Sequence, residues 1–265
     1  MVAGLAKKEG KPGYLIHTSG TGILGYADHE RNLVGVKDEK DKVYNDWDGI
    51  KEVTSLPDTA IHRNVDKIIL AAGAQYPGRI FTAIVAPSVI WGPGRGPDNQ
   101  KSIQAYGLTH AILKRGIGFH VGQGLNRWSE IHVQDVSNVF LDLVTAALEG
   151  GGKASWNEEG YYFVENGEFL WGELAKAITK IAFDKKLINS PEVDSLPGEE
   201  ADKLFPLLSL LVGWNSRCKA IRARKLLDWE PKQKSLFEYL PEIVDFEARE
   251  LGRTKSHAEK AVGAS

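Results

Sequence analysis

The sequence predicts an α/β protein built on a parallel sheet, and three observations carry that expectation. Residues 80–86, Ile80-Phe81-Thr82-Ala83-Ile84-Val85-Ala86, form an apolar run with no polar alternation, as suits a strand covered on both faces. Just before it, Ile61, Val65, Ile68, Ile69 and Ala72 recur at helical spacing. Tyr161-Tyr162-Phe163-Val164 is a second aromatic, β-branched strand signal. Pro87 has no N–H to continue a central ladder, and the Gly/Pro cluster 92–97 then reads as a shaped loop. In open α/β sheets ligands sit outside the carboxyl ends of the strands, so residues 87–96 are the expected rim of a site.

The remaining elements follow in order. Residues 1–9 read as the last turns of a helix, stopped by Gly10, Pro12 and Gly13. Tyr14-Leu15-Ile16-His17 is a short strand running into Thr18-Ser19-Gly20-Thr21-Gly22. Residues 28–47 are polar and predict a surface excursion. Asp58 is placed to cap a helix reaching about Ala74. Residues 102–115 predict a helix closed by Gly116, with short strands at 119–121 and 131–133 around the Gly122-Gln123-Gly124 turn. Asp135 is placed to cap a helix over 136–149, with Val139, Phe140, Leu143, Val144 and Ala147 inward. Residues 168–185 predict an amphipathic helix, 204–214 a buried helix turn or subunit contact, 220–227 a short basic helix and 235–251 a final helix. Residues 252–265 read as a polar tail.

With 265 residues the chain can bury a substantial core. Its 33 basic and 35 acidic residues nearly balance, which argues against nucleic-acid or anionic-membrane partners. A single cysteine, Cys218, excludes an internal disulfide and fits a reducing, cytoplasmic setting. No apolar run approaches the ~18 residues of a membrane helix, and residues 1–13 lack a signal-peptide core. No cluster suggests a metal.

Four stretches in order resemble the extended short-chain dehydrogenase/reductase, or NAD-dependent epimerase/dehydratase, family. They are Tyr14-Leu15-Ile16-His17-Thr18-Ser19-Gly20-Thr21-Gly22, Pro87-Ser88-Val89-Ile90-Trp91-Gly92-Pro93-Gly94, Trp128-Ser129-Glu130-Ile131-His132-Val133-Gln134-Asp135-Val136, and Lys225-Leu226-Leu227-Asp228-Trp229-Glu230-Pro231. The resemblance implies the C-terminal part of a Rossmann-like, doubly wound parallel sheet with a smaller mixed α/β substrate lobe. Residues 1–93 and 128–150 would form the partial Rossmann-like lobe, and 94–127 and 151–251 the substrate lobe. It implies NAD or NADP beside Pro87, Ser88, Val89 and Ile90. Ser19 and Thr21 neighbour the family's catalytic hydroxyl, whose position falls on Gly20.

Two departures accompany the resemblance. The glycine-rich pyrophosphate turn is absent, and by the resemblance the chain begins within the helix before the catalytic-Ser strand. The family's Tyr-x-x-x-Lys pair, in which the Lys charge lowers the phenol pKa, falls on Arg63 and Lys67. A guanidinium cannot exchange a proton near neutral pH.

Other residues admit two readings each. Arg63 with Lys67 reads as an anion clamp or a solvated basic face. His62 is a substitute proton donor, although it lies about 100° around the helix from residue 63. Trp91, Trp128 and Trp171 offer flat stacking surfaces or plain packing. Arg95 lies in the rim loop. Arg217, Arg222 and Arg224 reach a substrate phosphate or form an exposed basic helix. His132 with Asp135 reads as a relay pair or, more simply, as packing and a cap. The expected function is NAD(P)-dependent oxidation, reduction, epimerisation or dehydration at a hydroxyl or carbonyl of a small molecule, aldehyde, ketone or sugar-like. The alternatives are a non-catalytic ligand-binding relative and a truncated product without activity. A homodimer fits the resemblance.

Overall fold

The computed structural model describes residues 1–7, 9–40 and 42–254. In chain order a short helix, Val2–Ala6 (α1), leads into strand Gly13–Thr18 (β1), a 3-10 turn at Thr21–Gly25 and helix Tyr26–Glu30 (α2). Strand Tyr44–Asn45 (β2), helix Ile50–Thr54 (α3) and helix Arg63–Gln75 (α4) precede strands Ile80–Pro87 (β3) and Val89–Trp91 (β4). Helix Gln104–Arg115 (α5), strands Gly118–Val121 (β5) and Arg127–His132 (β6), and helix Val133–Leu148 (α6) follow. Strands Tyr161–Val164 (β7) and Glu168–Leu170 (β8), helix Trp171–Asp184 (α7) and strand Val193–Leu196 (β9) come next. Helices Gly198–Leu204 (α8) and Leu208–Val212 (α9), strand Cys218–Lys219 (β10), and helices Arg222–Leu226 (α10) and Leu236–Glu250 (α11) complete the order.

The fold is α/β, as the sequence predicts. β3 is the middle strand of a parallel sheet, flanked by β1 from Gly13↔Ile80 to Thr18↔Val85 and by β7 from Ile84↔Tyr161 to Pro87↔Val164. Every β3 residue except Phe81 is buried, which explains the unbroken apolar run. The strand ends at Pro87, and the next N–H, of Ser88, bonds Val164 O at 3.1 Å. Leu15, Ile84, Val85, Phe163, Val139 and Leu143 share one apolar core; Trp91, Leu113, Phe119, Trp171, Leu174 and Leu240 belong to a second.

Several local expectations are corrected. Within residues 28–47, Asp28 and Asp46 are buried. Asp28 accepts from the Asn215 backbone and side-chain nitrogens at 2.7 and 2.8 Å. Asp46 accepts from the N–H groups of Phe163, Ile221 and Arg222 at 2.8 to 2.9 Å. These carboxylates turn inward because they satisfy backbone donors of distant segments. Asp58 caps nothing; α4 starts at Arg63 because His62, with φ 69, breaks the helical path. α6 starts at Val133 with His132 as its N-cap, accepting from Gln134 N at 3.1 Å. Asp135 instead accepts from the N–H groups of Lys232 and Gln233 at 3.0 and 3.1 Å. The buried stripe of α6 is Val136, Val139, Leu143 and Ala146, while Val144 faces outward. Residues 168–170 pair with β6 as an antiparallel strand, so helix α7 begins only at Trp171. A capping box opens α11, where Ser235 and Glu238 bond reciprocally. The expected tail beyond residue 254 lies outside the described residues.

Candidate active site

A cavity of about 580 Å³ opens at the carboxyl ends of β1 and β3, on the rim the strand pattern predicts. The turn after β1 contributes Ser19, Gly20, Thr21 and Gly22; the end of β3 and β4 contribute Pro87, Ser88 and Ile90. His62 enters from the start of α4, and Trp128, Leu211 and Trp214 close the far wall. His62 holds a left-handed backbone, uncommon for a residue with a Cβ. The turn passes close beneath its ring: a Cβ at Gly20 would lie 3.4 Å from His62 Nε2.

Behind this wall sits Asp66, one helical turn after His62 and fully buried. Ser19 Oγ donates to Asp66 Oδ2 at 3.0 Å, and Tyr161 Oη donates to the same oxygen at 3.3 Å. Asp66 Oδ1 has no hydrogen-bond partner and lies 3.8 Å from His17 Nε2. Burial raises the Asp66 pKa, opposed by the Ser19 hydrogen bond and the charge of His17. Partial burial lowers the His62 pKa, opposed by the charge of Asp66. The result is an imidazole that is neutral at neutral pH and open to the cavity, with a carboxyl and a hydroxyl beside it. Such a set can take a proton from a hydroxyl or return it.

The structure brings Ser19, Thr21, Pro87, Ser88, Ile90 and Trp128 to the cavity. It does not bring Arg63 and Lys67 there. Arg63 is buried away from the lining with an unpartnered Nε, and Lys67 Nζ grips both Asp58 carboxylate oxygens at 2.8 Å. The N-terminal end of α4 therefore places His62 on the cavity wall and buries Asp66 behind it, one position before the expected pair. Within the helix, Asp66 and Lys67 lie about 100° apart, which separates their faces. His62 and Asp66 form an i, i+4 pair legible in the sequence, but their orientation depends on where the helix starts.

Val89 is sealed in β4, and Trp91 lies in the second core, its indole N–H bonded to buried Glu130. Burial pushes the Glu130 carboxyl up to about 7. Arg95 is exposed outside the lining. Arg222 is buried, not exposed, and bonds Asp46 O, Ser155 Oγ and Glu159 Oε2 at 2.8 to 2.9 Å. Trp171 packs in the second core, and Cys218 is buried with its thiol pKa pushed up. Among the described residues no group of three or more His, Cys, Asp or Glu is placed to hold a metal. No described helix is long and apolar enough to cross a membrane.

No protein-family model matches the chain. It is 36% identical over 261 residues to oxidase ucsJ of Acremonium sp., covering 95% of this chain and 74% of that protein. The chain belongs to the extended short-chain dehydrogenase/reductase family, the NAD-dependent epimerase/dehydratases. Solved members share its fold at low identity. A UDP-glucose 4-epimerase from Thermotoga maritima, solved with UDP-glucose, is 17% identical with a TM-score of 0.58, covering 94% of this chain and 67% of that one. A dTDP-glucose 4,6-dehydratase from Bacillus anthracis in complex with NAD is 16% identical with a TM-score of 0.54, covering 89% and 62%. The cavity lies at the sheet rim, which is where ligands bind in open α/β sheets.

Proposed function

We propose that the chain carries the reaction site of an NAD(P)-dependent oxidoreductase or epimerase/dehydratase acting on a hydroxyl or carbonyl of a small molecule. His62 is the proton-transfer group, Ser19 orients the substrate oxygen, and Asp66 is the positioning carboxyl behind them. The observation that supports this reading above the rest is the convergence of Ser19 and His62 on one cavity over buried Asp66.

The residues present suit the nicotinamide end of a dinucleotide. A flat ring with a carboxamide fits beside Pro87, Ser88 and Ile90, and the buried Thr21 hydroxyl, without a protein partner, is a fitting donor for that carboxamide. The phosphate end is different. The glycine turn after β1 is occupied from above by His62, and a 3-10 turn follows it instead of a long helix. No cradle for a pyrophosphate is therefore assigned to the described residues. When bound, the nicotinamide supplies or accepts the hydride at the substrate carbon. The protein's own groups act on the oxygen: neutral His62 takes the hydroxyl proton during oxidation, and the imidazolium returns it during reduction. Asp66 favours that imidazolium by its charge.

The test is deuteride transfer from 4-deuterated NADH and NADPH to a panel of small aldehydes and ketones, read by mass spectrometry of the alcohols. Deuterium is expected in the carbinol carbon of at least one product. Saturable binding of a ketone with no transfer from either cofactor would instead favour a ligand-binding relative.

A further inference from the structure

We infer that this site takes an apolar carbonyl compound or its alcohol, alicyclic or aromatic, rather than a nucleotide-activated sugar. The reacting group rests on the oxidoreductase reading above; the substrate class rests on the cavity wall.

Five separate segments present apolar groups to this one space. Ile90 comes from β4, Ile103 from the turn into α5, Trp128 from β6, Leu210 and Leu211 from α9, and Trp214 from the residues after it. A concave, largely apolar space with a few placed polar groups is the usual make-up of a small-molecule site. Its spare polar groups are uncharged. With Thr21 assigned above to the carboxamide, Ser102 remains among the lining residues with a hydroxyl that has no hydrogen-bond partner. It carries no charge to meet a phosphate.

A diphosphate needs cations, and the wall has none to spare among the described residues. Lys101 is the only lysine or arginine of the lining, and its Nζ lies 3.0 Å from Glu247. That carboxylate is buried and also faces His110 Nδ1 at 3.0 Å. The arginines from which a phosphate clamp would be drawn are turned elsewhere. Arg217 forks onto Glu168 at 2.8 and 2.9 Å, Arg222 holds Glu159, and Arg224 bonds Glu165 at 2.9 Å. None of the three lines the cavity. Two phosphate charges set against leucine and tryptophan would be desolvated without compensation, which is strongly unfavourable. An alicyclic or aromatic body gains from the same wall in proportion to its apolar area.

Binding can be read without cofactor, because Trp128 and Trp214 line the cavity and report through intrinsic fluorescence. The probes are 2-tetralone, cyclohexanone, UDP-glucose and UDP, with calorimetry as a second readout. 2-Tetralone is expected to bind saturably, roughly tenfold or more tighter than cyclohexanone because of its extra carbons. UDP-glucose and UDP are expected not to saturate at millimolar concentration. Ile103→Asp, at an already exposed position, is expected to keep the thermal transition and weaken 2-tetralone by about tenfold. Leu211→Ala is the second variant, expected to weaken it in the same direction.

Three outcomes overturn the inference: saturable UDP or UDP-glucose binding tighter than 2-tetralone, no saturable ketone binding, or ketone affinity unmoved by both variants. Apolar ketones that bind yet accept no deuteride leave the substrate class standing and count against the oxidoreductase reading. Turnover of UDP-glucose does the reverse.

Discussion

Replacing His62 with glycine should separate catalysis from stability. The His62 backbone lies at φ 69 and ψ −17, a left-handed conformation that costs an L-residue about 1–2 kcal/mol. Glycine adopts it without that cost, but its freer unfolded chain takes back about 0.4–1 kcal/mol. The imidazole edge facing the cavity loses little packing. The net change in folding stability is therefore expected within about 1 kcal/mol, or about 2–4 °C in Tm for a chain of this size. On the reading proposed above, turnover should fall about 10²–10⁴-fold, since His62 is the proposed proton-transfer group. The pH dependence adds a second signature. Burial holds the His62 pKa below its ordinary 6.5, so folding favours the neutral ring. That contribution is fully present above 6.5 and is lost as pH falls through the lower folded value. His62→Gly should remove this acid sensitivity. In the wild type, alcohol oxidation should weaken below the folded pKa, and carbonyl reduction should weaken above it. The measurements are urea melts across pH 4.5–8 and deuteride-transfer rates for both proteins. A destabilisation of several kcal/mol would make His62 a structural residue, and unchanged turnover would assign the proton to another group.

Two further perturbations test the placement of the helix and the loop. Arg63→Tyr restores the family's phenol in sequence, but residue 63 does not line the cavity, so turnover in the deuteride assay should not rise; a gain of tenfold or more would show that α4 can present that face. Gly92→Ala should destabilise by about 1–3 kcal/mol in urea melts, because Gly92 has φ 90 and an added Cβ would lie 2.3 Å from His132 Nε2; a midpoint equal to wild type would mean that the His132 ring swings clear.

What the sequence makes legible is what its short-range pattern determines. β3 could be read because burial on both faces leaves an unbroken apolar run, and Pro87 with the following glycines marks its end. α5 could be read to its last residue because Gly116 takes the left-handed conformation that closes it. The misread polar residues share one cause. Asp46 meets donors at 163, 221 and 222, and Asp135 meets donors at 232 and 233, 97 to 176 residues away along the chain. A side chain with so distant a partner looks like an exposed acid or a local cap in sequence. The site residues divide in the same way. Ser19, Thr21 and the Pro87 rim follow from strand ends, whereas His62 and Asp66 depend on a helix start fixed by one left-handed residue.

The displaced pair on α4 also follows a chemical logic. In the family's arrangement a phenol, neutral and of high pKa, needs a neighbouring cation to bring its pKa toward the working pH. An imidazole begins near neutrality, and burial at a cavity wall carries its pKa down. The neighbour that restores it is an anion, and the i+4 neighbour of His62 is Asp66. On the reading proposed above, a Tyr–Lys pair and a His–Asp pair, each four residues apart in sequence, tune the proton-transfer group with opposite charges. Lys67 on the cavity face would work against His62, because a second cation would disfavour the imidazolium that reduction requires. Its pairing with Asp58 on the outer surface keeps that charge away from the site. The Ser19 and Tyr161 hydroxyls both donate to Asp66 and oppose the rise that burial imposes on its carboxyl pKa. Tyr161 stands on β7 and Ser19 just beyond β1, so two strands of the parallel sheet supply the donors that favour the ionised form of the helix residue between them.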